Sequence, residues 1–113
     1  MITSNAKAGQ THLSIIEWMD SLGRGLSVSN VSAVLYFYDA GEYTTLVENL
    51  VPAQQAENTH RYTLSVDIPA DTEGQTLYLD FSATYDDDQS TLYRTERILI
   101  GSLSQPPLRV TFS

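Results

Sequence analysis

Two stretches of the chain alternate apolar and polar residues with a period of two. Tyr62, Leu64, Val66 and Ile68 share one side of the first stretch, and Arg61, Thr63, Ser65 and Asp67 share the other. In the second, Leu77, Leu79, Phe81, Ala83 and Tyr85 oppose Tyr78, Asp80, Ser82, Thr84 and Asp86. This period is that of a strand with one buried face and one wet face, so it predicts an antiparallel β-domain. Residues 31–39 (VSAVLYFYD) place Ala33, Leu35 and Phe37 on one face and Val34, Tyr36 and Tyr38 on the other. With both faces apolar, that segment reads as a central strand whose second face carries aromatic side chains.

The remaining signals fit the same architecture. Ala40-Gly41-Glu42 makes a short turn into a hairpin partner, YTTLVENL, and Val51 to His60 reads as the longest loop. Pro69 to Gln75 is a turn by its Pro, Asp and Gly content, and Asp86-Asp87-Asp88-Gln89 is a hairpin loop before a strand over 91–100. After Pro106-Pro107, Leu108, Val110 and Phe112 predict a last strand. Segment 11–25 supports two readings. Ile15, Trp18, Met19 and Leu22 have helical spacing, with Ser14 and Glu17 at capping-box spacing; Leu13, Ile15 and Ile16 suit an edge strand equally. A strand over 12–18 is preferred, because a sandwich usually begins with one. Residues 1–10 are small and polar without a period, which predicts a flexible N-terminal arm ahead of a single domain over 11–113. Seven to eight short strands about ten residues apart predict a two-sheet, immunoglobulin-like β-sandwich.

Composition narrows the function classes. At 113 residues the chain is one domain, and such a domain buries roughly 65% of its unfolded surface, enough for a core without staples. The absence of cysteine rules out disulfides and thiolate metal sites. Six Lys and Arg against 14 Asp and Glu give a formal charge of −8, which repels phosphate backbones and anionic membranes. Nucleic acid is therefore not an expected partner. No apolar run approaches the roughly 18 residues of a membrane span, and residues 1–10 carry neither the basic nor the apolar region of a secretion signal.

The order VSAVLYFYDAGEYTTL, a loop, then RYTLSVDIPADTEGQTLYLDFSATYDDD resembles the immunoglobulin-like and fibronectin type III-like modules of bacterial surface proteins and secreted enzymes. In those modules a Tyr-led alternating strand ending in Pro precedes a Gly-containing turn and a long strand ending in Ala-Thr-Asp; Tyr62 to Pro69, Gly74 and Ala83 to Asp86 occupy those places. The resemblance spans about residues 26 to 100 and departs at Asp87-Asp88, where Gly is usual. It implies a spacer or ligand-binding surface in an extracellular or cell-surface setting. A fainter similarity is to starch- and glycogen-binding β-sandwich modules. Gly25 to Asn30 follows their first strand, Asp39, Tyr43 and Thr45 their hairpin, and Tyr85 and Tyr93 their late aromatics.

Seven tyrosines and one tryptophan are the most distinctive side chains, since rigid rings stack on sugars and anchor interfaces at small entropic cost. Tyr62, Tyr85 and Trp18 read as core. Tyr36, Tyr38 and Tyr78 share the other parity and Tyr43 and Tyr93 lie near turns, so Tyr36, Tyr38, Tyr43 and Tyr93 are the candidate ligand-binding set. Asp86, Asp87 and Asp88 are the charge run, and Ca²⁺ is the cation such a carboxylate cluster suits. Thr91 and Arg97 stand where an EF-hand needs Gly and Glu, and a solvated hairpin tip explains the run as well. His12 and His60 are too few for a zinc site without carboxylate help, and Gly25 to Ser29 lacks the second glycine of a nucleophile elbow. The expected function is a non-catalytic interaction or spacer module without a cofactor, its partner a protein or a polysaccharide. Glucan binding through surface tyrosines is the alternative, and a module working through an open edge strand is a third.

Overall fold

The computed structural model describes residues 2–55 and 60–101. Among them the chain is all-β, with eight strands and one 3-10 turn at Ala70–Thr72. The strands are β1 (Ile2–Lys7), β2 (Thr11–Glu17), β3 (Val28–Asp39), β4 (Glu42–Leu50), β5 (Ala53–Gln54), β6 (Arg61–Asp67), β7 (Thr76–Tyr85) and β8 (Thr91–Gly101). They form a five-stranded sheet in the order β1-β8-β7-β3-β4 and a three-stranded sheet in the order β2-β6-β5. The expected strand Leu108 to Phe112 lies outside the described residues.

The two sheets share one core. Leu35 from β3, Leu77, Leu79 and Phe81 from β7 and Ile98 from β8 are almost fully buried with Trp18, and Ile16 of β2 and Tyr62, Leu64 and Val66 of β6 belong to the same apolar cluster. Each such side chain contributes about 1.5 to 3 kcal/mol by leaving water. The period-two reading holds in β6 and β7, whose odd and even positions separate into buried and wetter sets. In β3 the alternation breaks once. A β-bulge between Ser29 and Ser32, with Asn30 at φ 52°, adds a residue opposite β7 and turns both Val28 and Val31 to the interior.

Three expectations need correction or sharpening. Residues 2–7 are not a loose arm: β1 runs parallel to β8, pairing Ile2 with Glu96 through Lys7 with Gly101. Its small polar residues give no apolar period, and it is held by backbone pairing rather than by its own burial. That pair is also the exception to the antiparallel expectation. Segment 11–17 is strand, paired with β6, so Ser14 and Glu17 form no capping box.

A buried polar cluster ties the sheets together at the β1–β2 side. Glu96 points inward from β8 and is only 7% exposed. Its carboxylate accepts hydrogen bonds from Ser4 Oγ at 2.6 Å, Ser14 Oγ at 2.6 Å and His12 Nε2 at 2.9 Å. A buried carboxylate has about four acceptor positions, and filling three of them offsets its desolvation. Removing a donor leaves charge buried without compensation. Ser14→Ala should cost about 2 kcal/mol and His12→Ala about 3 kcal/mol, measured by urea unfolding; losses under about half these values would show the cluster to be solvated in solution.

Candidate functional site

The outer face of the five-stranded sheet collects the aromatic residues that the core does not use. The β3–β7 register sets Tyr36 opposite Tyr78, and the β3–β4 register sets Tyr38 opposite Tyr43 and Tyr36 opposite Thr45. β4 reaches this register through two irregularities, between its pairings at Ala33 and Leu35 and between those at Leu35 and Tyr36, and each adds one residue to β4. Asn49 takes up part of this bend at φ 57°. The β3–β4 hairpin closes through Ala40 and Gly41 at φ 52° and 85°, the two positive values that a two-residue type I′ turn requires.

The result is a continuous ring cluster. Tyr36 and Tyr78 stack at 5.5 Å between centroids and 18° between planes. Tyr43 meets Tyr36 edge-on at 5.3 Å and 64°, and Tyr38 at 4.7 Å and 59°. Tyr36 and Tyr78 are half-buried, whereas Tyr38 is 48% and Tyr43 69% exposed. Between the rings lies an open depression of about 420 Å³ lined by Val34, Tyr36, Tyr43, Thr45 and Asp80. A neighbouring one of about 360 Å³ shares Tyr36, Tyr43 and Asp80 and adds Tyr38, Tyr78 and Thr95.

Asp80 anchors the polar side of the cluster. It accepts a hydrogen bond from Thr95 Oγ1 at 2.7 Å and lies beside the Tyr36 phenol. The Tyr36 phenol is pushed up to about 12, first by loss of water and then by the charge of Asp80.

The structure brings Tyr36, Tyr38 and Tyr43 together and leaves Tyr93 apart. Tyr93 is 68% exposed and pairs with Ser82, four residues along β8 from Arg97, the residue level with Tyr78. At about 3.3 Å per residue that offset is about 13 Å. Tyr78, Asp80, Thr45 and Thr95 complete the site; their outward parity was readable, but the strand order that makes them neighbours was not.

The acidic loop is arranged differently. Asp86 accepts from Ser27 Oγ and Ser29 Oγ, both at 2.8 Å; Asp87 accepts from the Tyr85 hydroxyl at 2.9 Å, and Asp88 from the Ser90 backbone N–H at 2.9 Å. The three carboxylates thus fasten the hairpin in three directions, and among the described residues no group of three or more His, Asp or Glu is placed to hold a metal ion. Nor do His12, Ser4 and Ser14 form a nucleophile and base, because both serines donate to Glu96 rather than to the imidazole. No helix among the described residues is long and apolar enough to cross a membrane. No family model matches this chain, and no curated protein matches it.

Two outcomes check this geometry. The folded sheet favours the neutral Tyr36 phenol, so its contribution to stability is complete below the ordinary value of 10.0 and is lost as pH rises through about 12. In spectrophotometric titration Tyr36→Phe should remove one phenol from the high-pH limb, and Asp80→Asn should move that limb down; an unchanged limb in both variants would refute the Tyr36–Asp80 contact. Ala40→Asn should stabilise the protein by about 0.5 kcal/mol by supplying the residue a type I′ turn prefers, read as a higher urea midpoint with an unchanged slope.

Proposed function

We propose that this chain is a non-catalytic, immunoglobulin-like β-sandwich that serves as an interaction module and docks a protein partner through the tyrosine-lined face of its larger sheet. The strand order supports the architectural part. β2, β6 and β5 lie in the order of the B, E and D strands of such a sandwich, and β8, β7, β3 and β4 in the order G, F, C and C′. The first strand departs from that scheme by joining the last strand in parallel. A secreted or surface-displayed setting is proposed on the family resemblance.

The observation that carries the functional part is the exposed ring cluster itself, a preordered surface of a residue type enriched where proteins bind one another. Its geometry favours a protein over a glucan. Sugar rings stack on open, roughly coplanar aromatic faces, whereas here Tyr36 and Tyr78 cover one another at 18° and Tyr43 stands 64° and 59° from its neighbours. What the face offers is rings set at steep angles to one another, hydroxyls and shallow relief, which suit a protein surface.

A photoreactive amino acid at Tyr38, compared with one at Ser65 on the smaller sheet, tests the reading in an extract of the source organism. Covalent protein adducts are expected at position 38 only, competed by excess unlabelled wild type and not by a folded Tyr36→Ala/Tyr43→Ala variant. Equal adducts at both positions, or a saturable response of tyrosine fluorescence to a soluble glucan that the same double variant abolishes, would overturn it.

A further inference from the structure

The tyrosine face contains a charge imbalance that the chain does not correct. Asp80 is half-buried between β3 and β8, and it accepts a hydrogen bond from a neutral hydroxyl, that of Thr95, with the Tyr36 phenol beside it. No Lys or Arg among the described residues lies within ion-pair distance of it. The cation nearest in register on that face, Arg97, turns away toward β1, where its Nη2 lies 3.2 Å from Thr3 Oγ1. A partly desolvated carboxylate that keeps free lone pairs, beside aromatic rings and next to open space, is a site for a cation.

We propose that this depression captures the guanidinium group of an arginine side chain on the protein partner, an inference that rests on the tyrosine face being the docking surface. Charge complementarity selects the sign: Asp80 repels anions at close range, and the formal charge of −8 draws cationic segments from a distance. The walls select the shape. A guanidinium is planar, less tightly hydrated than an ammonium, and able to place parallel N–H bonds on a carboxylate while its face lies against a ring. Tyr43 supplies that ring: it lines both depressions and is 69% exposed, even with Tyr36 and Tyr38 packed against it. The Tyr36–Tyr78 stack forms the floor, and the bond from Thr95 Oγ1 holds the Asp80 carboxylate in place before the ligand arrives.

The test is an amide-shift NMR titration of the wild-type protein with acetyl-Gly-Arg-Gly-amide, with the isosteric, uncharged citrulline peptide, and with the lysine peptide. The expected result is saturable shifts centred on Tyr36, Tyr43, Thr45 and Asp80 with a dissociation constant in the millimolar range. Citrulline should bind about tenfold more weakly, and lysine should also bind more weakly than arginine. Asp80→Asn, which keeps the shape and an acceptor for Thr95, should weaken the arginine peptide about tenfold with the rest of the spectrum unchanged; Tyr43→Ala should weaken it severalfold. Equal binding of arginine and citrulline, equal binding of arginine and lysine, indifference to Asp80→Asn, or no saturable shift would each overturn the proposal. The cross-linking comparison separates the two readings: adducts at position 38 without arginine binding remove only this inference, whereas their loss removes the docking surface itself.

Discussion

Everything that distinguishes the two faces of this protein depends on the pairing of β3 with β7. The same register sets Leu35 against Leu79 and Ala33 against Phe81 inside, and Tyr36 against Tyr78 outside. Because side chains alternate, a slip of one residue would drive the tyrosines into the core and bring the leucines out to water. The core and the ring cluster are therefore two consequences of one alignment. The irregularities flanking it adjust parity where the sequence would break it, at Asn30 in β3 and near Asn49 in β4.

The rigidity of the outer face follows from this. Rings that pack on one another across strands lose their rotamer freedom during folding, so little is left to lose on binding. On the proposed reading, such a surface discriminates by shape and by the placement of hydroxyls and one carboxylate. The hairpin at Ala40 and Gly41 belongs to the same device, since it fixes Tyr43 beside Tyr38.

What the sequence revealed and what it concealed divide along physical lines. β6 and β7 were legible because half-buried strands alternate, and the outward parity of Tyr36, Tyr38 and Tyr78 followed directly. β1 was illegible because Ile2 to Lys7 carry almost no apolar period and owe their order to a backbone partner some ninety residues away. The inward position of Glu96 was hidden for a related reason: a charged residue reads as surface unless the donors that compensate it, here from β1 and β2, are known to converge. Tyr93 shares the right face but sits at the wrong height, a distinction that depends on register. The acidic run read as a possible cation site because composition does not show that each carboxylate already serves a local donor.

The Glu96 cluster also sets an order of events in the life of the chain. Ser4, His12 and Ser14 are made first, and the carboxylate that gathers them belongs to the last of the described strands. During synthesis β1 has no strand to lie against until residue 101 has left the ribosome, and β2 has no charge to close around. The β1–β8 pairing thus joins segments about ninety residues apart in sequence, and a domain that depends on so non-local a contact belongs with topologies that close slowly.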